Sequence, residues 1–101
     1  MRIEQTETFS EWLNGLRDVQ GKARILVRVD RLAHGNPGKH RALKGGVKEL
    51  KVDVGPGYRV YYTERDDGTL VVLLAGGDKS TQAGDIETAI ALAANLKETK
   101  K

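Results

Sequence analysis

The sequence predicts an α+β domain in which a mostly antiparallel sheet is packed by a helical hairpin and a C-terminal helix. Two alternating strands and one continuous apolar strand, joined by turns, occupy residues 49–75. Two amphipathic helical segments precede them and a third follows. A short edge strand at residues 2–6 completes the order β-α-α-β-β-β-α within one domain, residues 1–101.

Three strands are predicted in the middle of the chain. In residues 49–54 and 58–63 apolar and polar side chains alternate, which is the period of a strand with one buried face. Gly-Pro-Gly at 55–57 and Asp-Asp-Gly at 66–68 separate the strands, because these residues favour the backbone angles of tight turns. Residues 70–75 are apolar without a break, which predicts a strand that is covered on both faces and central to the sheet.

The first helix is predicted shortly after the edge strand. Thr8 and Glu11 have the spacing of a capping box, in which both side chains bond free backbone N–H groups at the helix start. Apolar residues recur at i, i+3, i+4 and i+7, so they form one buried face. This face consists of Phe9, Trp12, Leu13 and Leu16.

The second helix is predicted to run from its cap, Asp18, to about His34, where a Gly-Asn-Pro-Gly run ends it. Arg24, Arg28 and Arg31 fall at i, i+4 and i+7, which predicts a solvated basic stripe. The buried side is expected to contain Ala23, Leu26, Val29 and Ala33, flanked by Ile25 and Leu32.

Two connecting segments are expected to be loops. Residues 39–48 form a basic loop before the first long strand, and residues 76–82 link the last strand to the third helix. Within the second loop, Asp78, Ser80 and Thr81 are suited to capping that helix. The helix has a narrow face of small and apolar residues, namely Ile86, Ala89, Ile90, Ala93 and Leu96.

Composition limits the class of function. The chain has no cysteine and two histidines, so we expect no disulfide, no metal site and no cofactor. We expect no signal peptide and no membrane segment, and therefore a cytoplasmic protein. Residues 22–48 hold eight basic side chains and one acidic, net +7, in a chain of net +3. This concentration predicts a polyanionic or acidic partner, with a solvated face that binds nothing as the alternative.

Several motifs occur in an order that is typical of a known group of small proteins. They are FxxWL at 9–13, GGVxEL at 45–50, GPGYRVYY at 55–62 and GGDKSTQ at 76–82. Together they resemble the RelE/ParE toxin superfamily, specifically its HigB-like addiction module killer proteins. The resemblance implies the RelE-like fold and the toxin component of a type II toxin–antitoxin module. It also implies an antitoxin partner of the helix-turn-helix kind, through which alone DNA is contacted.

The resemblance leaves the activity open. RelE-like members cleave mRNA at the ribosome, whereas ParE-like members inhibit DNA gyrase. We expect a metal-independent, ribosome-dependent mRNA endoribonuclease, an mRNA interferase that inhibits translation in a plasmid stabilisation module. A gyrase inhibitor without enzymatic activity and an inactive relic that binds only its antitoxin are the alternatives.

Five residues are candidates for catalysis of RNA cleavage, which needs a base, a cationic stabiliser and an acid. Arg59 offers a planar fork to two phosphate oxygens. Tyr61 lies two residues further on the same strand face, where it stacks on a base or donates a proton. Lys51 and Lys79 are expected to converge on this patch, and Glu49 is the candidate base. The predicted RNA-binding residues are Arg24, Arg28, Arg31, Lys39, Arg41, Lys44 and Lys48.

Structural alternatives accompany these assignments. Arg59 is also suited to an ion pair with Glu49 or Asp53 across the hairpin, and Tyr61 to packing between strands. The Gly-Gly pair at 76–77 precedes a helix and is a weak candidate for a phosphate cradle.

Overall fold

The computed structural model describes residues 1–99, the side chains of residues 97–99 excepted. Its elements are β1 (Arg2–Gln5), α1 (Glu7–Asn14), α2 (Val19–Ala33), β2 (His40–Ala42), β3 (Val47–Val52), β4 (Tyr58–Arg65), β5 (Leu70–Asp78) and α3 (Gln82–Thr99). Short 3-10 helices precede β3 and α3. The α+β class is confirmed, and β2 is an addition to the predicted order. None of the described helices is long and apolar enough to cross a membrane.

The five strands form one sheet in the order β1-β5-β4-β3-β2. β1 runs parallel to β5, and the other neighbouring pairs are antiparallel. β4 is central and β5 lies between β4 and β1, with Leu70 to Ala75 all buried. The prediction that this strand is covered on both faces is confirmed, but β4 rather than β5 lies at the centre of the sheet.

Helices cover both faces of the sheet, so the protein has two hydrophobic cores. α1 and α2 pack on one face, and α3 packs on the other, where its small Ala89 and Ala93 allow a close approach. The predicted apolar faces of the first and third helices are confirmed. The core under α1 and α2 includes Phe9, Leu13, Ile25, Leu32, Leu50, Val60, Tyr62, Val71 and Leu73.

The core under α3 is built on alternate residues of β5. Leu70, Val72 and Leu74 point into it, whereas Val71 and Leu73 point into the core on the opposite face. Its other buried members are Val47, Tyr61, Ala75, Ala89 and Ala93, with Ile86, Ile90 and Leu96 partly buried against them. β5 therefore contributes to both cores, as expected for a strand between two helical layers.

Both helices of the hairpin begin at capping residues. The cap of α1 is Thr6, whose hydroxyl oxygen accepts a hydrogen bond from the Phe9 N–H at 3.0 Å. The prediction that Thr8 caps this helix is wrong, because Thr8 already lies inside its first turn. Asp18 caps α2 as predicted and accepts from the Gly21 N–H at 2.9 Å.

The buried side of α2 differs from the predicted one. Ile25 and Leu32 are buried, whereas Ala23 is exposed and Leu26 and Val27 are 47% and 46% exposed. The helix carries apolar residues around most of its circumference, so periodicity alone does not choose which side faces the sheet.

A glycine selects the side of α2 that faces the sheet. A Cβ atom at Gly21 would lie 2.5 Å from the Tyr58 ring, so only glycine permits this contact. The Tyr58 hydroxyl also donates to Asp18 at 2.8 Å. The Gly21 N–H bond and this bond hold the pKa of Asp18 below its ordinary value, and the bond to Asp18 raises the pKa of Tyr58. The start of α2 is therefore fixed on β4.

The two segments predicted as loops contain regular structure. His40–Ala42 forms the edge strand β2, which pairs with β3. β5 continues through Gly76 and Gly77, where added Cβ atoms would lie 2.2 Å from Trp12 and 1.8 Å from Asp85. These glycines make room for two side chains, and the suggested phosphate cradle is wrong. Asp78 caps the 3-10 turn before α3 and accepts from the Ser80 N–H at 2.8 Å.

Candidate nucleic-acid interface

Basic and acidic side chains form two rows on the sheet face that α3 covers in part. Arg41 of β2 lies opposite Glu49 of β3, which lies opposite Tyr61 of β4. Lys51 and Arg59 form the next row. Alternation along the strands directs all five side chains to the same face. Strand pairing thus brings together four of the predicted catalytic residues.

The row that contains Glu49 and Tyr61 is inside the protein, because both residues are 0% exposed. Glu49 accepts from Arg41 Nε at 2.7 Å and from Gln82 Nε2 at 2.8 Å. Burial raises the pKa of Glu49, but these bonds and the Arg41 charge outweigh it and hold the pKa below its ordinary value. Glu49 is therefore an ionised, fully bonded group, and this geometry does not offer it to RNA as a base.

Tyr61 packs in the core under α3, as the structural alternative supposed. Burial, and then the negative charge of Glu49, raise the pKa of its hydroxyl. That hydroxyl has no hydrogen bond of normal geometry to any described residue. Its position does not offer the ring to an RNA base.

Arg59 is 5% exposed and is incompletely paired. One terminal nitrogen donates to the Tyr58 carbonyl at 3.0 Å and lies 4.0 Å from Asp53 Oδ1. Its Nε has no hydrogen-bond partner among the described residues. An ion pair with Glu49 is excluded because Arg41 and Gln82 occupy that carboxylate, and the pair with Asp53 is long.

Three lysines surround Arg59. Lys51 lies directly opposite it, and Lys39 pairs with Asp53 at 2.5 Å. Lys79 lies beside it across a glycine: a Cβ at Gly57 would be 2.9 Å from Lys79 Cδ and 3.6 Å from Arg59 Nη1. A cavity of about 270 Å³ between the turn at 53–57 and Lys79 opens at this point. We call Lys39, Lys51, Arg59 and Lys79, with Asp53, the basic sheet cluster.

Arg28 supports this cluster from the opposite side of the sheet. It is half-buried, and its guanidinium donates to the carbonyls of Lys51 at 2.6 Å, Pro37 at 2.9 Å and Lys39 at 3.0 Å. The prediction that Arg28 belongs to a solvated stripe is wrong, because its i+4 neighbour Leu32 is buried and the same side of α2 faces the sheet. Arg28 holds the backbone that carries two of the basic residues.

The other predicted RNA-binding residues are dispersed. Arg24 and Arg31 are exposed on α2, and Lys44 is exposed in the 3-10 turn before β3. Lys48 lies on the opposite sheet face from Lys51 and pairs with Glu64 at 3.0 Å. The sequence predicted Asp53 only as a partner of Arg59, because its contact with Lys39 depends on the position of the segment before β2. The bond from Gln82 to Glu49 was not predicted, because it depends on where α3 begins against the sheet.

A second basic surface lies on α2. Val19 is 79% exposed, and with Leu26 and Val27 it supplies three of the four exposed large apolar side chains in the described part of the chain. Their spacing places them on one helix side, which also carries Ala23 and the exposed Asp30. Lys22, Arg24 and Arg31 flank this apolar stripe. We call this surface the outer face of α2.

Carboxylates and imidazoles are scattered over the described residues. Within residues 1–96, no group of three or more histidine, aspartate and glutamate side chains is arranged to hold a metal ion. The charged groups that the basic sheet cluster offers to a ligand are its cations and its one exposed carboxylate, Asp53.

Comparisons with solved structures define the class of fold. The chain superposes with a TM-score of 0.62 on a chain of the E. coli RelBE toxin–antitoxin complex, at 17% identity over 76% of this chain and 94% of that chain. A metal-bound toxin from Helicobacter pylori gives a TM-score of 0.58 at 23% identity, over 79% and 96% of the two chains. The fold is thus RelE-like, as expected.

Sequence comparison gives the family. Residues 11–98 match the family model described as Phage derived protein Gp49-like (DUF891), and the chain belongs to this family. It is also 46% identical over 96 residues to an uncharacterized protein of Haemophilus influenzae, covering 95% of this chain and 96% of the relative.

Proposed function

We propose that the protein is the toxin of a type II toxin–antitoxin module, of the HigB-like kind, and acts in the cytoplasm as a ribosome-dependent mRNA endonuclease. Two kinds of observation support the proposal. The fold is shared with RelE and with a Helicobacter pylori toxin. In the basic sheet cluster, strand pairing brings several cations together on one sheet face, where they are suited to binding a phosphate.

The observation that carries the proposal is the incomplete pairing of Arg59. A buried charge is costly unless a close partner compensates it. Arg59 has one backbone acceptor at 3.0 Å, a carboxylate only at 4.0 Å, and an unbonded Nε. Lys51 beside it adds positive charge. A site with such an excess of positive charge favours an anion, and a phosphate group is an anion that a guanidinium binds well.

The proposed reaction is attack by the RNA 2′-OH on the adjacent phosphate. The 2′-oxygen–phosphorus bond forms and the bond from phosphorus to the 5′-oxygen breaks, while one proton leaves the 2′-OH and another reaches the 5′-oxygen. Arg59 stabilises the negative charge that develops on the phosphate. The exposed Lys79 donates to the leaving oxygen, and Asp53 rather than Glu49 is the carboxylate offered as base. The reaction needs no metal ion when cations hold the phosphate.

The outer face of α2 is suited to binding the antitoxin of a toxin–antitoxin module. Its apolar stripe, made by Val19, Leu26 and Val27, gains free energy by burial against another apolar surface and offers nothing to RNA phosphates. The three cations at its borders outnumber Asp30, the one acidic residue of α2, so they favour an acidic partner and oppose a second copy of this chain, which would bring like charges together. We infer that an acidic amphipathic helix of the cognate antitoxin binds here.

Induction of the protein in growing cells tests the proposed function. Loss of mRNA with new 5′ ends at a fixed position within codons is the expected result, measured by transcript-end sequencing. An Arg59→Ala variant is the inactive control, and Arg17→Gln, which removes an exposed charge elsewhere, is the active one. Relaxation of plasmid DNA with intact mRNA would instead identify a gyrase inhibitor, and unaffected growth would identify an inactive relic.

A further inference from the structure

Arg41 lies at the edge of the sheet and forms an ion pair with a fully buried carboxylate. It belongs to β2, and its side chain is 47% exposed. Its Nε donates to Glu49 Oε1 at 2.7 Å, and Glu49 itself has no exposed surface. Gln82, at the first position of α3, donates to the other oxygen at 2.8 Å. Three elements of the fold thus meet at one ion pair.

The arrangement leaves the outer part of the guanidinium free. Among the described residues, no hydrogen bond is formed by the two terminal nitrogens of Arg41, because Nε alone reaches Glu49 and Gln82 occupies the second oxygen. An exposed arginine usually samples many rotamers, and ordering it opposes binding. Here the bond from Nε to the buried carboxylate restricts the guanidinium in advance, and the N–H groups of both terminal nitrogens stay available on a side chain that is half exposed.

Charge on this side of the sheet favours an anion at Arg41. Lys39 precedes it by two residues and lies on the same side of the chain. Both oxygens of the Glu49 carboxylate are already bonded and the residue is 0% exposed, so the carboxylate does not itself meet a ligand at Arg41. A buried carboxylate is not needed to stabilise a sheet at this position, since an apolar pair of similar volume commonly does so at least as well.

We propose that Arg41 binds a phosphate of the RNA backbone and that Glu49, held by Gln82, is the residue that positions it. The inference rests on the RNA-binding part of the proposed function and extends it, because the contact lies in the row beside the proposed reaction site. The ligand is recognised as a phosphodiester by the bidentate N–H pair. Glu49 acts through Arg41 and does not touch the RNA.

The experiment measures binding of the full chain to 70S ribosomes programmed with a 2′-O-methylated mRNA, which cannot undergo 2′-OH attack. Arg41→Gln should weaken binding about tenfold, the usual size of one charged hydrogen bond. It should also reduce the slope of log affinity against log salt by about 0.7. Arg41→Lys should be weakened as well, because the N–H groups left on a lysine that pairs with Glu49 diverge from one nitrogen and do not form the planar, parallel pair that matches two phosphate oxygens. Arg17→Gln is the control with the same loss of charge.

The Glu49→Gln variant distinguishes the orientation of Arg41 by Glu49 from the effect of net charge on RNA binding. The substitution raises the net charge by one, so attraction to RNA at long range would strengthen binding, as in the exposed control Glu11→Gln. Loss of positioning should instead weaken binding about three- to tenfold. Gln82→Leu keeps the ion pair but removes the hydrogen bond to one carboxylate oxygen. It should weaken binding by a smaller factor, and it tests the positioning role if Glu49→Gln does not fold.

The outcomes distinguish this inference from the proposed function. Wild-type protein that binds programmed ribosomes, together with Glu49→Gln and Gln82→Leu variants that are folded and bind as tightly or more tightly, overturns the positioning role of Glu49. Undiminished binding by Arg41→Lys overturns the bidentate phosphate contact. Wild-type protein that does not bind the ribosomes overturns the RNA-binding part of the proposed function, and this inference with it.

Discussion

The two basic surfaces of the molecule differ in what surrounds their cations. In the basic sheet cluster, cations surround an exposed carboxylate and a buried guanidinium, and none of the exposed large apolar side chains in the described part of the chain lies among them. On the outer face of α2, cations border an apolar stripe that includes Val19, which is 79% exposed. Positive charge is common to both surfaces. This difference in neighbouring groups is the reason for proposing a different partner for each: phosphate for the first surface and an acidic helix for the second.

One stretch of sequence contributes cations to both surfaces, which explains why net charge alone does not identify them. Residues 22–48 carry a net charge of +7. Lys22, Arg24 and Arg31 lie on α2, whereas Lys39 belongs to the basic sheet cluster. Arg28 belongs to neither surface, because it bonds backbone carbonyls under the cluster. A charge count thus combines residues with three separate roles.

The largest effect is expected from Arg59→Ala. The variant should lose growth inhibition, because removing a transition-state contact lowers the rate by about 10²–10³. It should still be bound by the antitoxin, since the outer face of α2 is unchanged. Cell growth after induction and copurification with the antitoxin are the measurements. A folded Arg59→Ala variant that remains toxic would show that Arg59 is structural.

A substitution on the outer face of α2 should have the opposite result to Arg59→Ala: antitoxin binding is weakened and toxicity is retained. Leu26→Glu places a charge in the apolar stripe and should weaken antitoxin binding by about 10–100-fold, while toxicity is retained. Ala91→Glu, at an exposed position of α3, is the matched control. Stability should change by less than about 0.5 kcal/mol for a substitution at such a position.

Three results would contradict this assignment for the outer face of α2. The first is full neutralisation of Leu26→Glu by the antitoxin of the same module. The second is a wild-type dimer that Leu26→Glu converts to monomer in sedimentation analysis, because the face would then bind a second copy. The third is a loss of ribosome binding in Leu26→Glu, which would place both partners on one surface.

Arg28→Gln should affect stability rather than one surface alone. Three charged hydrogen bonds to backbone carbonyls are lost, so unfolding should become easier by about 1–3 kcal/mol. For a domain of this length that lowers the melting temperature by roughly 5–15 °C. Arg24→Gln and Arg31→Gln, measured in the same thermal melts, should differ little from wild type. Equal melting temperatures for all three variants would show that Arg28 contributes no more to stability than the exposed Arg24 and Arg31.

Much of the fold was predictable because periodicity and turns are local signals. The strands at 49–54, 58–63 and 70–75 and the cap at Asp18 are all set by neighbours in sequence. The orientation of α2 was not, since it depends on the contact between Gly21 and Tyr58, which are far apart in the chain. β2 was missed for a similar reason: three exposed residues have no apolar alternation to reveal a strand.

The candidate site was predictable as a set of residues on one sheet face but not as a set of exposed groups. Alternation correctly placed Glu49, Lys51, Arg59 and Tyr61 on the same side. It did not show that α3 and β2 would enclose Glu49 and Tyr61, because covering by another element is a tertiary property. The role of Asp53 beside Lys39 likewise depends on where the segment before β2 lies.

The separation of the two surfaces is tested most directly by the salt dependence of ribosome binding. Two double variants remove equal charge: Lys39→Gln with Lys51→Gln, and Arg24→Gln with Arg31→Gln. The first pair should reduce the slope of log affinity against log salt by about 1.4, or about 0.7 for each lost phosphate contact, and the second should leave it unchanged. Equal reductions in both double variants would contradict the account, because RNA would then contact both basic surfaces.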